Sequence, residues 1–403
     1  MYKMYCRVYQ TSLKIVSRFS PWRAPILLEG EDSIIKLPEV IQENNINRVL
    51  IVTDKVIMSL GLLKSLLVAL DEKKIKYAIY DQTVPNPTIE NIEDGLKLYM
   101  NSNCQGIIAF GGGSSIDCGK GIGARIARPK KLIPQMKGIQ KVRRSIPPFF
   151  AVPTTSGTGS ETTLAAVITD TRTKEKYAIN DIALIPHYAV LDPKLTIGLP
   201  PNITSTTGMD ALTHAIEAYI GKSNSKETFE LSEKAVKLIF ENLIIAYSDG
   251  NNIKARSNVQ KGSYYAGAAF TKAYVGYVHG LAHALSAYYG LPHGLANAVI
   301  LPYVLEYYGS SVYKPLAQLW DIISESKDAT SNEIKAKQFI NKIKEMNHLM
   351  KIPTHFDCIS TQDIPNLVSH CIKESNPLYP VPRILDEKDL TILYLQIRSG
   401  YEN

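Results

Sequence analysis

Short apolar runs of β-branched residues recur through the first half of the chain, each closing on a polar residue or a glycine. Val49-Leu50-Ile51-Val52-Thr53-Asp54 is the clearest. It shows no alternation of apolar and polar positions, which predicts a strand buried on both faces, as in a parallel sheet. Helical periodicity over 58–74 follows it. The same reading predicts strands at 76–80, 106–110 and 149–152, and a helix at 89–101. This βαβα alternation implies a doubly wound sheet with helices on both faces. Strand signals fade after Asp192-Pro193. Beyond Pro200-Pro201 the period is helical, with apolar residues near 3.6 spacing over 231–246 and 334–350. The pattern predicts an α/β N-terminal dinucleotide-binding domain over 1–194, including an N-terminal arm. An all-helical C-terminal metal-binding domain is expected over 195–403.

A length of 403 residues agrees with two domains, and 45% hydrophobic with 21% charged residues is the composition of a soluble globular protein. Five scattered cysteines without CxxC spacing (Cys6, Cys104, Cys118, Cys358 and Cys371) point to reduced thiols and a cytoplasmic protein. The net charge of +7 is unevenly spread. Residues 118–160 hold nine Lys or Arg and no acid, but they lack the interleaved aromatics of a nucleic-acid reader. An anionic small molecule is the better expectation there, and a solvated loop the plain one. The first 28 residues also lack acids and carry Lys3, Arg7, Lys14, Arg18 and Arg23. Transit peptides share that composition, yet no apolar stretch or small-residue cleavage site follows, so the arm is expected to belong to the folded protein. From Ala273 to Leu305 no charged residue occurs. Three histidines, Asn297, Pro292 and Pro302 interrupt this run, and these are costly in lipid. Two buried helices around a polar site, broken at Gly290-Leu291-Pro292, fit better than a membrane span.

Histidine is where the chemistry concentrates. His279, His283 and His293 fall within fifteen residues, and His214 follows Asp210 by four. The i,i+4 spacing puts Asp210 with His214, and His279 with His283, on shared helix faces. Imidazoles with one carboxylate suit a borderline divalent ion, Fe²⁺ or Zn²⁺. A histidine taken singly is more often an ordinary hydrogen-bonded residue; five such positions together favour a metal site. At the other end of the chain, Gly111-Gly112-Gly113-Ser114-Ser115 follows a strand and opens a helix. Glycines let the backbone approach a pyrophosphate, and a helix N-terminus attracts its charge. Ser114 with Asp117 also fits a simple capping box. Pro153-Thr154-Thr155-Ser156-Gly157-Thr158-Gly159-Ser160-Glu161 is a second hydroxyl-rich loop after a strand, as a dinucleotide lying across a sheet edge needs. Asp54 at a strand end suits a ribose hydroxyl and repels a 2′-phosphate. Because it precedes the glycines, this is not the usual Rossmann order.

These segments, with 208–217 and 279–294, resemble the iron-containing (group III) alcohol dehydrogenases, which share a fold with dehydroquinate synthase. The resemblance runs from about Pro25 to the C-terminus. It implies that Asp210, His214, His279 and His293 hold the metal, with His283 beside metal and nicotinamide as the proton-relaying catalytic residue. It implies NAD at Gly111, Gly112, Gly113, Ser114, Thr154 and Thr155, with Asp54 favouring NAD over NADP. Asn86, Lys176 and Phe270 match further cofactor positions. The expected reaction interconverts a small primary alcohol or diol and its aldehyde with NAD(H), in a homodimer or larger homo-oligomer without nucleic-acid or membrane partners. Lys272 stands where many relatives carry Asn and adds positive charge; Ser286 stands where Gly is common. NADP is the alternative coenzyme, since the basic linker at 130–144 offers charge for a 2′-phosphate. The rival activity is a dehydroquinate synthase-like lyase using NAD transiently on a phosphorylated substrate.

Overall fold

The computed structural model describes residues 1–173, 175–324 and 330–400, without the side chain of Arg18. The chain forms two compact units. One is Pro21–Gly198; the other joins Leu199–Asn403 to Met1–Ser20. The arm therefore belongs with the helical unit, not with the sheet unit as expected from the sequence. It is a 17-residue helix, α1 (Tyr2–Arg18). Cys6 is fully buried in the helical core, and the Arg7 guanidinium donates to the carbonyls of Val381 (2.7 Å) and Pro382 (2.9 Å). Those bonds satisfy groups at the far end of the chain, which no local pattern reveals.

In the sheet unit the elements run β1 (Ile26–Glu29), α2 (Leu37–Glu43), β2 (Arg48–Val52), α3 (Lys55–Ser59), α4 (Lys64–Glu72), β3 (Lys76–Tyr80), α5 (Ile89–Asn101), β4 (Gly106–Gly111), α6 (Gly113–Ala127), β5 (Gly138–Ile139), β6 (Phe149–Pro153), β7 (Ala165–Asp170), β8 (Glu175–Asn180) and β9 (Tyr188–Leu191). Six strands form a parallel sheet in the order β1-β9-β6-β4-β2-β3. Alternate residues of β4 face opposite layers. Ile107 and Ala109 pack with Ile116 and Ile122 of α6, whereas Ile108 and Phe110 pack with Leu66 and Leu70 of α4. That double burial is why these strands read as continuous apolar runs. Two details differ from the expected pattern. The helix expected over 58–74 is two helices, because Gly61 takes a left-handed φ of +68° between them. A small second sheet, β5-β8-β7, lies outside the predicted strands.

The helical unit continues with α7 (Pro201–Ile220), α8 (Lys226–Ser248), α9 (Ile253–Ala273), α10 (Tyr277–Tyr289), α11 (His293–Tyr308), α12 (Tyr313–Ile323), α13 (Asn332–Leu349), α14 (Ile364–Ser375) and α15 (Glu387–Ser399). α10 ends at Gly290 in a left-handed conformation (φ +66°), and α11 starts straight after Pro292. Most of both helices is buried, which explains a run without charges. Among the described residues no helix is long and apolar enough to cross a membrane.

Candidate active site

β4 ends on Gly111 with φ +149°, and a Cβ there would lie 2.6 Å from Ser115 Oγ. A Cβ on Gly113, the first residue of α6, would meet Thr158 Cγ2 at 2.9 Å. Glycine is thus sterically required at both positions. No side chain caps α6, which leaves its first-turn N–H groups available to an anion. The capping-box alternative for Ser114 and Asp117 is corrected here. The N-cap is Gly112, and Asp117 instead accepts from Ser160 Oγ (2.7 Å) and Val167 N (3.1 Å).

Other residues expected for the coenzyme gather around this turn. Thr154 N donates to Gly111 O (3.0 Å), and the Thr155 side chain would touch a Cβ on Gly112 at 3.6 Å. Asp54 caps α3 through Ile57 N (2.9 Å) and accepts from Ser115 Oγ (3.5 Å). Asn86, at φ +56°, donates its N–H to Ser114 Oγ (3.2 Å), and its Oδ1 accepts from Lys176 Nζ (2.7 Å). Beneath the turn, the fully buried Lys120 Nζ is surrounded by four acceptors for its three N–H bonds: Ser160 Oγ (3.2 Å), Thr163 O (2.8 Å), Thr163 Oγ1 (2.9 Å) and Ala165 O (2.8 Å). Burial draws its pKa down to about 8, against the pull of Asp117 and Glu161. This ammonium ties the second hydroxyl-rich loop to α6. The basic linker makes surface contacts of its own: Lys137 pairs with exposed Glu175, and Lys131 Nζ reaches Lys141 O (2.8 Å), while Arg125 on α6 pairs with Glu93 (2.5 Å).

In the helical unit, one ligand atom each from Asp210 on α7, His279 on α10 and His293 on α11 lie within 4.8 Å of one another. Asp210 Oδ1 is 3.9 Å from His279 Nε2 and 3.4 Å from His293 Nε2. Bonds of about 2.0–2.2 Å to one ion at a near-tetrahedral angle give separations of about that size. The donor set tests this further. Asn297 Nδ2 sits 2.7 Å from Asp210 Oδ1, 3.2 Å from His279 Nε2 and 3.1 Å from His293 Nε2. An amide has two N–H bonds and cannot serve three acceptors. Three potential ligand atoms gathered this closely, with only two N–H bonds to share, suit a cation. His214, the fourth expected ligand, lies beside this group rather than within it. Its ring stacks on His279 (centroids 4.5 Å apart) and on Phe270 (4.1 Å).

Glu217, one turn beyond His214, fixes His279. Its carboxylate accepts from His279 Nδ1 (2.6 Å), Gly276 N (2.8 Å) and Val278 N (2.8 Å). With Nδ1–H donating, the Nε2 lone pair is turned to the centre. Burial pushes Glu217 up to about 8 while the backbone donors pull it down; the carboxylate is the form that matches three N–H partners. Burial first, then the neighbouring imidazoles, drive His279 well below its ordinary value, which keeps it neutral. His283 stacks on His293 (4.9 Å) and bonds Glu374 through Nδ1. Burial acts to raise the Glu374 carboxyl, but His283 and Tyr379 hold it below the usual carboxylate value. Tyr379 OH donates to it at 2.7 Å. Lys272 pairs with Glu227 (2.6 Å), so its added charge is met by an acid.

Sequence reasoning missed Glu217, Asn297 and Glu374. The first two had a signal: Glu217 continues the Asp210/His214 face at i+7, and Asn297 is i+4 from His293. Glu374 comes from α14, ninety-one residues from His283, and nothing local marks it.

Comparison with known proteins gives the same assignment as the sequence resemblance. Residues 24–193 match the iron-containing alcohol dehydrogenase family model, and 204–397 match the model for the C-terminal part of that family. The chain is 37% identical to a 1,3-propanediol dehydrogenase of Citrobacter freundii, covering 87% of this chain and 91% of the relative. It is 36% identical to alcohol dehydrogenase 4 of Saccharomyces cerevisiae, covering 94% and 97%. A crystal structure of a 1,3-propanediol oxidoreductase superposes with TM-score 0.90 at 35% identity, covering 93% of this chain and 99% of the other. The chain belongs to the iron-containing alcohol dehydrogenase family, oxidoreductases acting on CH–OH groups.

Proposed function

We propose that the protein interconverts a small primary alcohol or diol and its aldehyde with NAD(H), in the cytoplasm and as a dimer or larger homo-oligomer. Asp210, His214, His279 and His293 hold a divalent ion, iron by family and zinc as the alternative, since one such donor set accepts both. A bound ion supplies Lewis acidity to the substrate oxygen, and the nicotinamide carries the hydride. Glu217 orients His279, and Asp210 brings the charge that makes the site selective for a cation. His283 takes or returns the alcohol proton, and Glu374 with Tyr379 holds its ring in one orientation. In the sheet unit, Gly111, Gly112, Gly113 and Ser114 bind the pyrophosphate, with Thr154 and Thr155 beside it. Asp54 bonds the ribose and disfavours a 2′-phosphate. Asn86 and Lys176 extend this wall, and Phe270 flanks the reacting end. Relatives named for 1,3-propanediol support a small diol or alcohol as substrate.

The observation that carries this reading is the gathering of one ligand atom each from Asp210, His279 and His293 within 4.8 Å of one another. Metal analysis of anaerobically purified protein, paired with NADH and NADPH assays across short aldehydes, tests it. Stoichiometric iron or zinc and a preference for NADH are expected. His279→Ala should lose metal and turnover together, and full activity of a metal-free His279→Ala protein overturns the mechanism.

A further inference from the structure

α14 ends at Ser375 and α15 begins at Glu387. The connector between them carries Tyr379, whose hydroxyl donates to Glu374, the partner of His283 Nδ1. It begins Asn376-Pro377-Leu378-Tyr379-Pro380-Val381-Pro382. Three prolines in seven residues remove N–H donors, so most of its carbonyls are met by donors elsewhere in the fold. α1 provides the larger share. Gln10 Nε2 donates to Tyr379 O (2.7 Å) and Pro377 O (3.2 Å). Arg7 donates to Val381 O (2.7 Å), to Pro382 O (2.9 Å) and to Gln10 Oε1 (2.9 Å). That last bond decides which way the Gln10 amide faces. Its oxygen is taken by the guanidinium, so its nitrogen meets the carbonyls. Gln10 and Tyr379 are both buried.

We propose that Gln10 is a positioning residue for His283, acting through Tyr379. The path is continuous and lies within the helical unit. Gln10 fixes the Tyr379 carbonyl, the Tyr379 hydroxyl holds Glu374, and Glu374 holds the imidazole. A clasp that served stability alone would need only Arg7, whose bonds fall beyond the tyrosine; Gln10 is aimed at the tyrosine's own carbonyl. α1 precedes the stretch matched by the family models, which begins at residue 24. This chain therefore places part of the support of its site outside the matched fold. The inference rests on the reading of His283 as the group that moves the alcohol proton. Alignment matters there, since a misplacement of about 1 Å can cost on the order of 10²-fold in rate.

A double-variant cycle of Gln10→Glu and Tyr379→Phe, read by aldehyde reduction with the metal-loaded full chain, tests this. Glutamate keeps a partner for Arg7, so α1 stays anchored, but its carboxylate cannot donate to Tyr379 O. Each single variant is expected to lower kcat on the order of tenfold. KM for the aldehyde, NADH affinity and metal content should keep their parental values. The solvent deuterium isotope effect on kcat should rise in both, because proton transfer slows. A partly unfolded sample would instead lose activity with that isotope effect unmoved. The two losses should not multiply: the double variant is expected within about threefold of the worse single one. Multiplying losses, an unmoved isotope effect, or a Gln10→Glu enzyme with parental kcat each overturn the proposal. His283→Ala separates this from the underlying reading. Parental kcat in that variant overturns both, whereas a lowered kcat there together with multiplying losses overturns the role of Gln10 alone.

Discussion

The glycine turn and the metal cluster are assembled in opposite ways. The turn is continuous in sequence: Gly111, Gly112, Gly113 and Ser114 run from the end of β4 into α6, and backbone geometry shapes it. The cluster is discontinuous. It draws Asp210 from α7, His279 from α10 and His293 from α11, and its geometry depends on Glu217 and on the packing of three buried helices. Substitutions should therefore have separable effects. Changes in the turn should weaken coenzyme binding and spare the metal; changes in the cluster should do the reverse.

The largest expected effect is at His279. Losing a ligand and the Lewis acidity it supports removes several kcal/mol of transition-state stabilisation. His279→Ala should then lower turnover by about 10³-fold or more, with metal lost on dialysis and NADH binding by fluorescence intact. Gly113→Val comes next. Its Cβ would press on Thr158 and shift the start of α6, raising the dissociation constant for NADH on the order of 10²-fold with full metal content. If Gly113→Val also sheds its metal, the two sites are not separable.

Glu217→Gln sharpens the contrast within the cluster. The amide removes the charge behind His279 while keeping the shape, and outer partners of this kind are worth about 10- to 100-fold in metal affinity. A competition titration with a chromogenic chelator reads that loss directly. An unchanged metal affinity would show that the bond from Nδ1 does not tune the ligand.

The same contrast explains what was legible in the sequence. The turn could be read because glycine, strand and helix start are adjacent, and each leaves a local mark. His279 and His293 could be read because the helices that carry them are so buried that charged residues are excluded, leaving polar residues conspicuous. Glu374 could not be read, because its relation to His283 is created by tertiary packing alone. Nor could the docking of α1, whose partners are carbonyls near the C-terminus. The β7–β8 hairpin escaped for another reason. Its alternation is carried partly by alanines and charged residues, as in Ala165-Ala166-Val167-Ile168-Thr169-Asp170, which give little apolar contrast. Gly61 was visible, but an isolated glycine is compatible with a continuing helix, and only its left-handed φ shows the break.

One histidine in the sheet unit provides the smallest and cleanest test of the comparison, because it is the ordinary case against which the cluster stands out. His187 is half-buried, precedes β9, and accepts the Phe149 N–H through Nδ1 (3.1 Å). Burial, and secondarily the Arg23 guanidinium, push its pKa from 6.5 down to about 4. The unfolded chain then binds a proton near pH 6.5 that the folded one refuses until about pH 4. Its contribution to stability is fully present above the unfolded value and is lost as pH falls across that window. A shift of this size corresponds to a ceiling of about 3.4 kcal/mol. The imidazole is partly solvated, so about 1–2 kcal/mol is the expected loss. Urea unfolding from pH 7 to pH 4 should show the slope in the parent, and His187→Asn, which keeps an acceptor near Phe149 N but cannot protonate, should flatten it. Metal content and NADH affinity should not change in that variant at pH 7. An identical slope in the two proteins would mean that the loss of stability comes from other groups, and that His187 does not behave as the isolated, neutral counterpart of the clustered imidazoles.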